Sequence, residues 1–262
     1  MSDATQVVRA ASLPAFLSKE WRELFRQARV FIILAPLFFF AILNPVMIKL
    51  LPRILGTQLG QLAQVIQVSA ADAIQGYFKN VGDISLFVFV LALMGTIAEE
   101  RAAGVYHILF SRHVRRWQSV AAKYLVNFAV VTAGLIGSAL LARYYVGVLF
   151  AASLPAADFI VAALIDAAYY AFVLGMLLLF SAVMKRGFTA GIATLVLTMM
   201  LPLLGYIPEL GHYLPHSLLG SAISMAVAGT APPATAGAVA VALFLGLAAA
   251  AGAGVAIERA EL

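Results

Sequence analysis

Apolar and polar residues follow one another along this chain in long blocks, and the blocks predict helices of two kinds. Apolar runs at residues 30–51, 84–98, 121–141, 159–184, 188–206 and 234–257 read as spans, because a helix needs roughly 20 apolar residues to cross a bilayer. The run at 84–98 is short and must borrow residues at both ends. The run from 121 extends to or past 141, where Arg143, Tyr144 and Tyr145 mark an interface. Residues 13–29 show the second pattern. Leu13, Leu17, Trp21, Leu24 and Ala28 share one helical face, flanked by Phe16 and Phe25, and Lys19, Glu20, Arg22, Glu23, Arg26 and Arg29 share the other. Such a helix lies in the membrane interface, rings among acyl chains and cations toward headgroups.

The stretches between the runs are less uniform. Residues 52–83 scatter Gln58, Gln61, Gln64, Gln67, Asp72, Gln75 and Lys79 among apolar positions, which predicts one or two short amphipathic helices on the outer surface. Pro36, Pro45 and Pro202 remove backbone donors and bend their spans. Residues 207–233 are punctuated by Pro208, Gly211, Pro215, Gly220, Gly229, Pro232 and Pro233. Their apolar core is too short to span, so a re-entrant or interfacial helical pair is expected there. In the last run Gly246/Ala250, Ala248/Gly252 and Ala250/Gly254 are small pairs four apart that allow close helix approach.

The largest polar island is 99–123. It opens on Glu99, Glu100 and Arg101, passes Gly104, and then sets Val105, Tyr106, Ile108, Leu109 and Phe110 before a basic group of Arg112, Arg115, Arg116 and Lys123. A basic loop explains the cations. It does not explain the bulky apolar residues, which suit a short helix seated in a partner's groove, with Glu99, Glu100, Arg101 and Arg112 fixing its orientation.

Composition agrees with a membrane protein. The 262 residues are 63% hydrophobic and 11% charged, with a mean hydropathy of +0.99, where a soluble domain carries roughly a quarter charged residues. The expected fold is all-α and polytopic. Six transmembrane helices follow an interfacial helix in one domain spanning 1–262, with a coupling region at 99–123 and a re-entrant segment at 207–233. No cleaved leader is expected, since the first apolar run lacks a small-residue cleavage pattern. The net charge of +5 does not signal nucleic acid. Every Lys and Arg except Lys49, Arg53, Lys79 and Arg143 falls on one side of the six-span topology. That asymmetry predicts cytoplasmic termini and a cytoplasmic island.

The order of interfacial helix, two spans, then Glu-Glu-Arg-Ala-Ala-Gly-Val-Tyr-His-Ile-Leu-Phe-Ser-Arg and a lysine about eleven residues on resembles the membrane subunit of ABC exporters of the type-2 permease family. The resemblance aligns Glu100 and Gly104 with that family's acid and glycine. Ile108 and Leu109 align with its Leu-rich turn, Ser111 and Arg112 with its Ser-Arg, and Lys123 with its lysine. Lys19, Glu20, Trp21, Glu23 and Leu24 resemble its opening before span one. Val105 in place of Thr, no Pro before Ser111, and Ala122 in place of Gly are departures that blur the ends of the coupling helix. The resemblance implies a dimer, homomeric or pseudo-symmetric, docked through residues 103–111 on a separate ATP-binding subunit that holds ATP and Mg. No Gly-x-x-x-x-Gly-Lys-Ser/Thr occurs in this chain, so hydrolysis is expected in the partner. The expected role is permease of an exporter for a lipid, glycan, peptide or drug, in an inner or plasma membrane.

Two other classes stay open at this stage: a scaffold or sensor that docks a partner without transport, and an ion-driven carrier. The second fits poorly with so few charges inside the spans. Asp166 is the one acid well inside a run and a possible intramembrane polar site. The blander reading pairs it with Tyr169, Tyr170 or Arg143 near an outer helix end. His212 and His216 have helical metal spacing, but Pro215 separates them and no third ligand is evident beyond Glu209, so no metal site is expected. The chain has no cysteine, hence no thiolate nucleophile or Cys metal site. No catalytic arrangement is visible.

Overall fold

The computed structural model describes residues 13–59, 68–98, 100, 117–205, 207 and 211–259, all as helices and connecting turns. Helix α1 is Leu13–Arg26 and α2 is Arg29–Leu59. Then come α3 (Ala70–Asn80), a π-helical turn at Val81–Ser85, and α4 (Leu86–Leu93). The second half holds α5 (Trp117–Phe150), α6 (Ala156–Val183), α7 (Gly187–Leu204), a 3₁₀ turn at Gly211–Tyr213, α8 (Ser217–Ala228) and α9 (Thr235–Arg259). Six stretches among the described residues are long and apolar enough to cross a membrane: Arg29–Ile54, Ala70–Leu93, Trp117–Phe150, Ala156–Val183, Gly187–Leu204 and Thr235–Arg259. The all-helical, six-span expectation therefore holds.

Helix α6 is the axis of the bundle. It packs most extensively on α9, then on α5 and α8, and also on α7 and α4. The α6–α9 crossing has backbone against backbone. A Cβ on Gly246 would lie 2.7 Å from the Ala171 carbonyl, and one on Gly175 would run into the Gly246 carbonyl. This is the close approach that the small residues of the last run allow. By contrast α2 turns Phe31, Ile32, Phe39 and Ile42 outward, as a helix facing hydrocarbon does.

Several boundaries differ from the sequence reading. The interfacial helix ends at Arg26 rather than 29, and Arg29 already opens the next helix. The first span does not stop at 51 but continues in one helix to Leu59. The second begins at Ala70 rather than 84. Asp72, Gln75, Lys79 and Asp83 are exposed, while Ala73, Ile74, Tyr77, Phe78 and Val81 are buried. These polar residues thus form one face of a helix whose opposite face joins the core, instead of lying on a surface helix. Ser69 caps that helix reciprocally with Asp72. The Tyr77 and Ser138 hydroxyls, 2.7 Å apart, join it to α5. The third helix likewise starts at Trp117, four residues before the expected 121.

Between α7 and α9, the 3₁₀ turn and α8 replace a single span. Twelve residues of α8 reach about 18 Å, too short to cross. Gly229 ends α8 at φ +69°, where a side chain is disfavoured.

Candidate functional site: a buried ion-pair cluster

Helix α1 packs on α5 along a seam of Phe16, Glu20 and Leu24, which are all buried. The seam is rotated from the sequence expectation: Glu20, placed there on the polar face, points inward, and Trp21 and Phe25 are exposed. The reason lies across the seam. Lys123 on α5 is completely buried, and its Nζ donates to both Glu20 carboxylate oxygens at 3.0 Å and to Glu100 Oε1 at 2.8 Å. An unpaired buried ammonium is costly, so the carboxylate is drawn in.

Lys19 closes the group from the rim. Its Nζ lies 3.2 Å from Glu100 Oε1, 3.3 Å from Glu20 Oε1 and 3.4 Å from Glu23 Oε2. Two ammoniums, Lys19 of α1 and Lys123 of α5, thus sit among three carboxylates, Glu20 and Glu23 of α1 and Glu100 beyond α4. Burial works against the charge on Lys19, but Glu100, Glu20 and Glu23 outweigh it and hold the amine above its ordinary value. Burial likewise opposes the Glu100 charge. Lys123 and then Lys19 outweigh it, and the carboxyl stays below its ordinary value. The oxygens of Glu20, Glu23 and Glu100 lie within 4.8 Å of one another, close enough to share a cation; the two ammoniums already serve that purpose.

The cluster is anchored from behind. Ser181 on α6 accepts hydrogen bonds from the Ile97 and Ala98 amides at 3.3 and 3.1 Å and donates to the Met94 carbonyl at 3.3 Å. The chain leaving α4 is therefore fixed to the central helix just before Glu100. Gly187, at the start of α7, lies against Gly95, where a Cβ would come within 2.6 Å of the Gly95 Cα.

Of the residues singled out in the sequence, Lys19, Glu20, Glu23, Glu100 and Lys123 come together here. Trp21 and Arg26 are exposed on α1, with Trp21 against Phe25 at 5.2 Å between ring centres. Glu99, Arg101, Gly104, Val105, Tyr106, Ile108, Leu109, Ser111 and Arg112 lie outside the described residues. Asp166 is buried on α6, and neither carboxylate oxygen has a hydrogen-bond partner among the described residues. Two of the three partners considered for it are engaged elsewhere: the Tyr170 hydroxyl donates to the Val81 carbonyl at 2.8 Å and Arg143 Nε to the Leu154 carbonyl at 2.7 Å. The pairing of Glu20 with Lys123 was missed in the sequence. Its signal was the spacing of Phe16, Glu20 and Leu24, an acid at the middle of an i, i+4, i+8 apolar row.

Six apolar spans, one of them a buried central helix packed by others, define a multi-pass α-helical membrane protein. The family described as ABC-2 family transporter protein matches residues 15–215, and this chain belongs to that family. No curated protein and no solved structure matches it. Membrane domains of this family are transport permeases, typically components without catalysis of their own.

Proposed function

We propose that this chain is the membrane-spanning permease subunit of an ABC exporter, moved by ATP hydrolysed in a separate subunit. The observation that carries the reading is the ion-pair cluster. It binds α1, the threshold of the 99–123 island and the foot of α5 into one body, so force applied to the island reaches the interfacial helix and the spans together. Within the island, residues 103–111 form the coupling helix. Val105, Tyr106, Ile108 and Leu109 seat it in the ATPase, and Glu99, Glu100, Arg101, Ser111 and Arg112 orient it.

Two such subunits, identical or homologous, frame the pathway, and ATP with Mg is held by the ATPase partners. The termini and the island face the cytoplasm; the distribution of basic residues supports this. Residues 207–233 form a re-entrant element sheltered by α6 and α3, against which α8 packs. Trp21 and Phe25 rest in the lipid interface. Asp166 is an intramembrane polar site. The cargo is a lipid, glycan, peptide or drug.

Co-expression with the cognate ATPase tests this. The two should copurify, and Glu100→Lys or Tyr106→Asp should weaken the complex. Intact copurification and transport in both variants would reject coupling through the island. Flux that follows an ion gradient and ignores vanadate would instead identify an ion-driven carrier.

A further inference from the structure

A cavity of about 440 Å³ between α5 and α9 is almost wholly apolar. A second one, of about 410 Å³, is different in chemistry. It lies between the π-helical turn, α6, α7 and α8. Asp83, Tyr169, Thr198 and His216 line it together with apolar residues that include Phe87 and Met199. Its size suits a drug-sized ligand.

The polar lining is rich in electron pairs and holds no cationic side chain. Asp83 is exposed; its backbone carbonyl accepts from the Leu86 amide, but among the described residues its carboxylate makes no ion pair or hydrogen bond. Lys79, one turn away on the same helix, does not line the cavity and makes no ion pair with Asp83. The Thr198 hydroxyl gives its proton to the Leu195 carbonyl at 2.8 Å, which leaves its lone pairs free. Burial pulls the His216 imidazole below its ordinary value against the opposing pull of Asp83, which disfavours the charged ring. Its buried Nδ1 has no hydrogen-bond partner among the described residues. The π-helical turn sets this up locally, since an inserted turn of this kind often marks a binding site. Here it is pinned by Tyr170 donating to the Val81 carbonyl. A carboxylate within a spanning stretch is expensive without a counter-charge, and Asp83 lies within Ala70–Leu93.

We propose that this cavity binds an amphipathic organic cation, a protonated amine carrying an apolar body. The ammonium sits at Asp83 with the Thr198 hydroxyl within the same polar patch, and the body lies along Phe87 and Met199. The site belongs to this chain alone and does not depend on the transport reading, so it is measured without ATPase or nucleotide.

The full chain is reconstituted in nanodiscs of phosphatidylcholine, and binding of the fluorescent cation rhodamine 6G is followed by anisotropy against empty nanodiscs. Dodecylamine should displace the dye at least about tenfold more effectively than dodecanol, the margin expected of one charge-assisted contact. Asp83→Asn should abolish that preference, and Lys79→Gln should leave it intact. Displacement by added phosphatidylethanolamine would assign the site to a lipid amine; displacement by soluble amine alone would assign it to a solute, and both support the site. Equal competition by amine and alcohol, or an unchanged preference in Asp83→Asn, overturns it. Should Asp83→Asn fail to purify, Met199→Trp, which fills the cavity from its exposed rim, decides the matter: undiminished dye binding there also overturns the proposal.

Discussion

Lys123 and Glu20 are 103 residues apart in the chain and 3.0 Å apart in the fold, both buried. Removing one member of such a pair strands the other charge and costs roughly 3–5 kcal/mol. Lys123→Met should therefore lower the thermal midpoint in detergent sharply. Lys123→Met combined with Glu20→Leu should recover most of the loss, because both desolvation costs vanish together. A double variant no better than the single would show that Glu100, not Glu20, is the dominant partner.

The cluster sets a pH window. Glu100 is held below its ordinary 4.5, so its contribution is present above that value and is lost as pH falls through the lower folded value. Lys19 is held above its ordinary 10.5, so its contribution is complete below that value and fades as pH rises through the folded one. Lys19 is partly exposed, which weakens the alkaline arm through solvent screening. The stability difference between the native chain and Glu100→Gln should be flat across neutral pH and shrink in acid. Melting curves over a pH series check this.

The α6–α9 crossing makes a third prediction. Gly175→Ala forces a methyl into the Gly246 backbone and should destabilise by about 1–3 kcal/mol. Gly220→Ala in α8 meets nothing within 4 Å and should stabilise by about 0.5–1 kcal/mol through backbone entropy. Thermal melts of both variants in one detergent compare them directly.

The six spans were legible because lipid imposes one rule on every one of them: enough consecutive apolar residues. The second span was read too short for the opposite reason. Asp72, Gln75, Lys79 and Asp83 recur every three or four residues, and a polar face on a buried helix looks the same in one dimension as a surface helix. The charge cluster was half visible. Glu100 and Lys123 were marked by the family's pattern, but that they meet Glu20 depends on how α1 rotates against α5, and pairwise geometry of that kind has no periodicity to betray it.

Asp166 gives a fourth prediction. A buried carboxyl with no hydrogen-bond partner among the described residues is a net cost to folding, so Asp166→Leu should be neutral or stabilising, by up to about 1–3 kcal/mol. If Asp166→Asn also leaves transport and basal ATPase untouched, the residue has no working role. A large loss of transport with unchanged melting would mark it as functional.

Ala28, at the elbow between α1 and α2, adopts φ +56°, a region that costs a non-glycine residue roughly 1–2 kcal/mol. Ala28→Gly should relieve this and raise the melting temperature, whereas Ala28→Val should lower it. Equal midpoints for the two would mean that the elbow relaxes freely.

One hydroxyl, that of Ser181, clasps three backbone groups at the end of α4. The link is short, a single Cβ–Oγ arm between two main chains, so the end of α4 is tethered to the innermost rod of the assembly, which itself packs on α9, α5, α8, α7 and α4. Under the proposed coupling, Ser181→Ala should loosen that tether and lower transport per ATP hydrolysed more than it lowers the melting temperature.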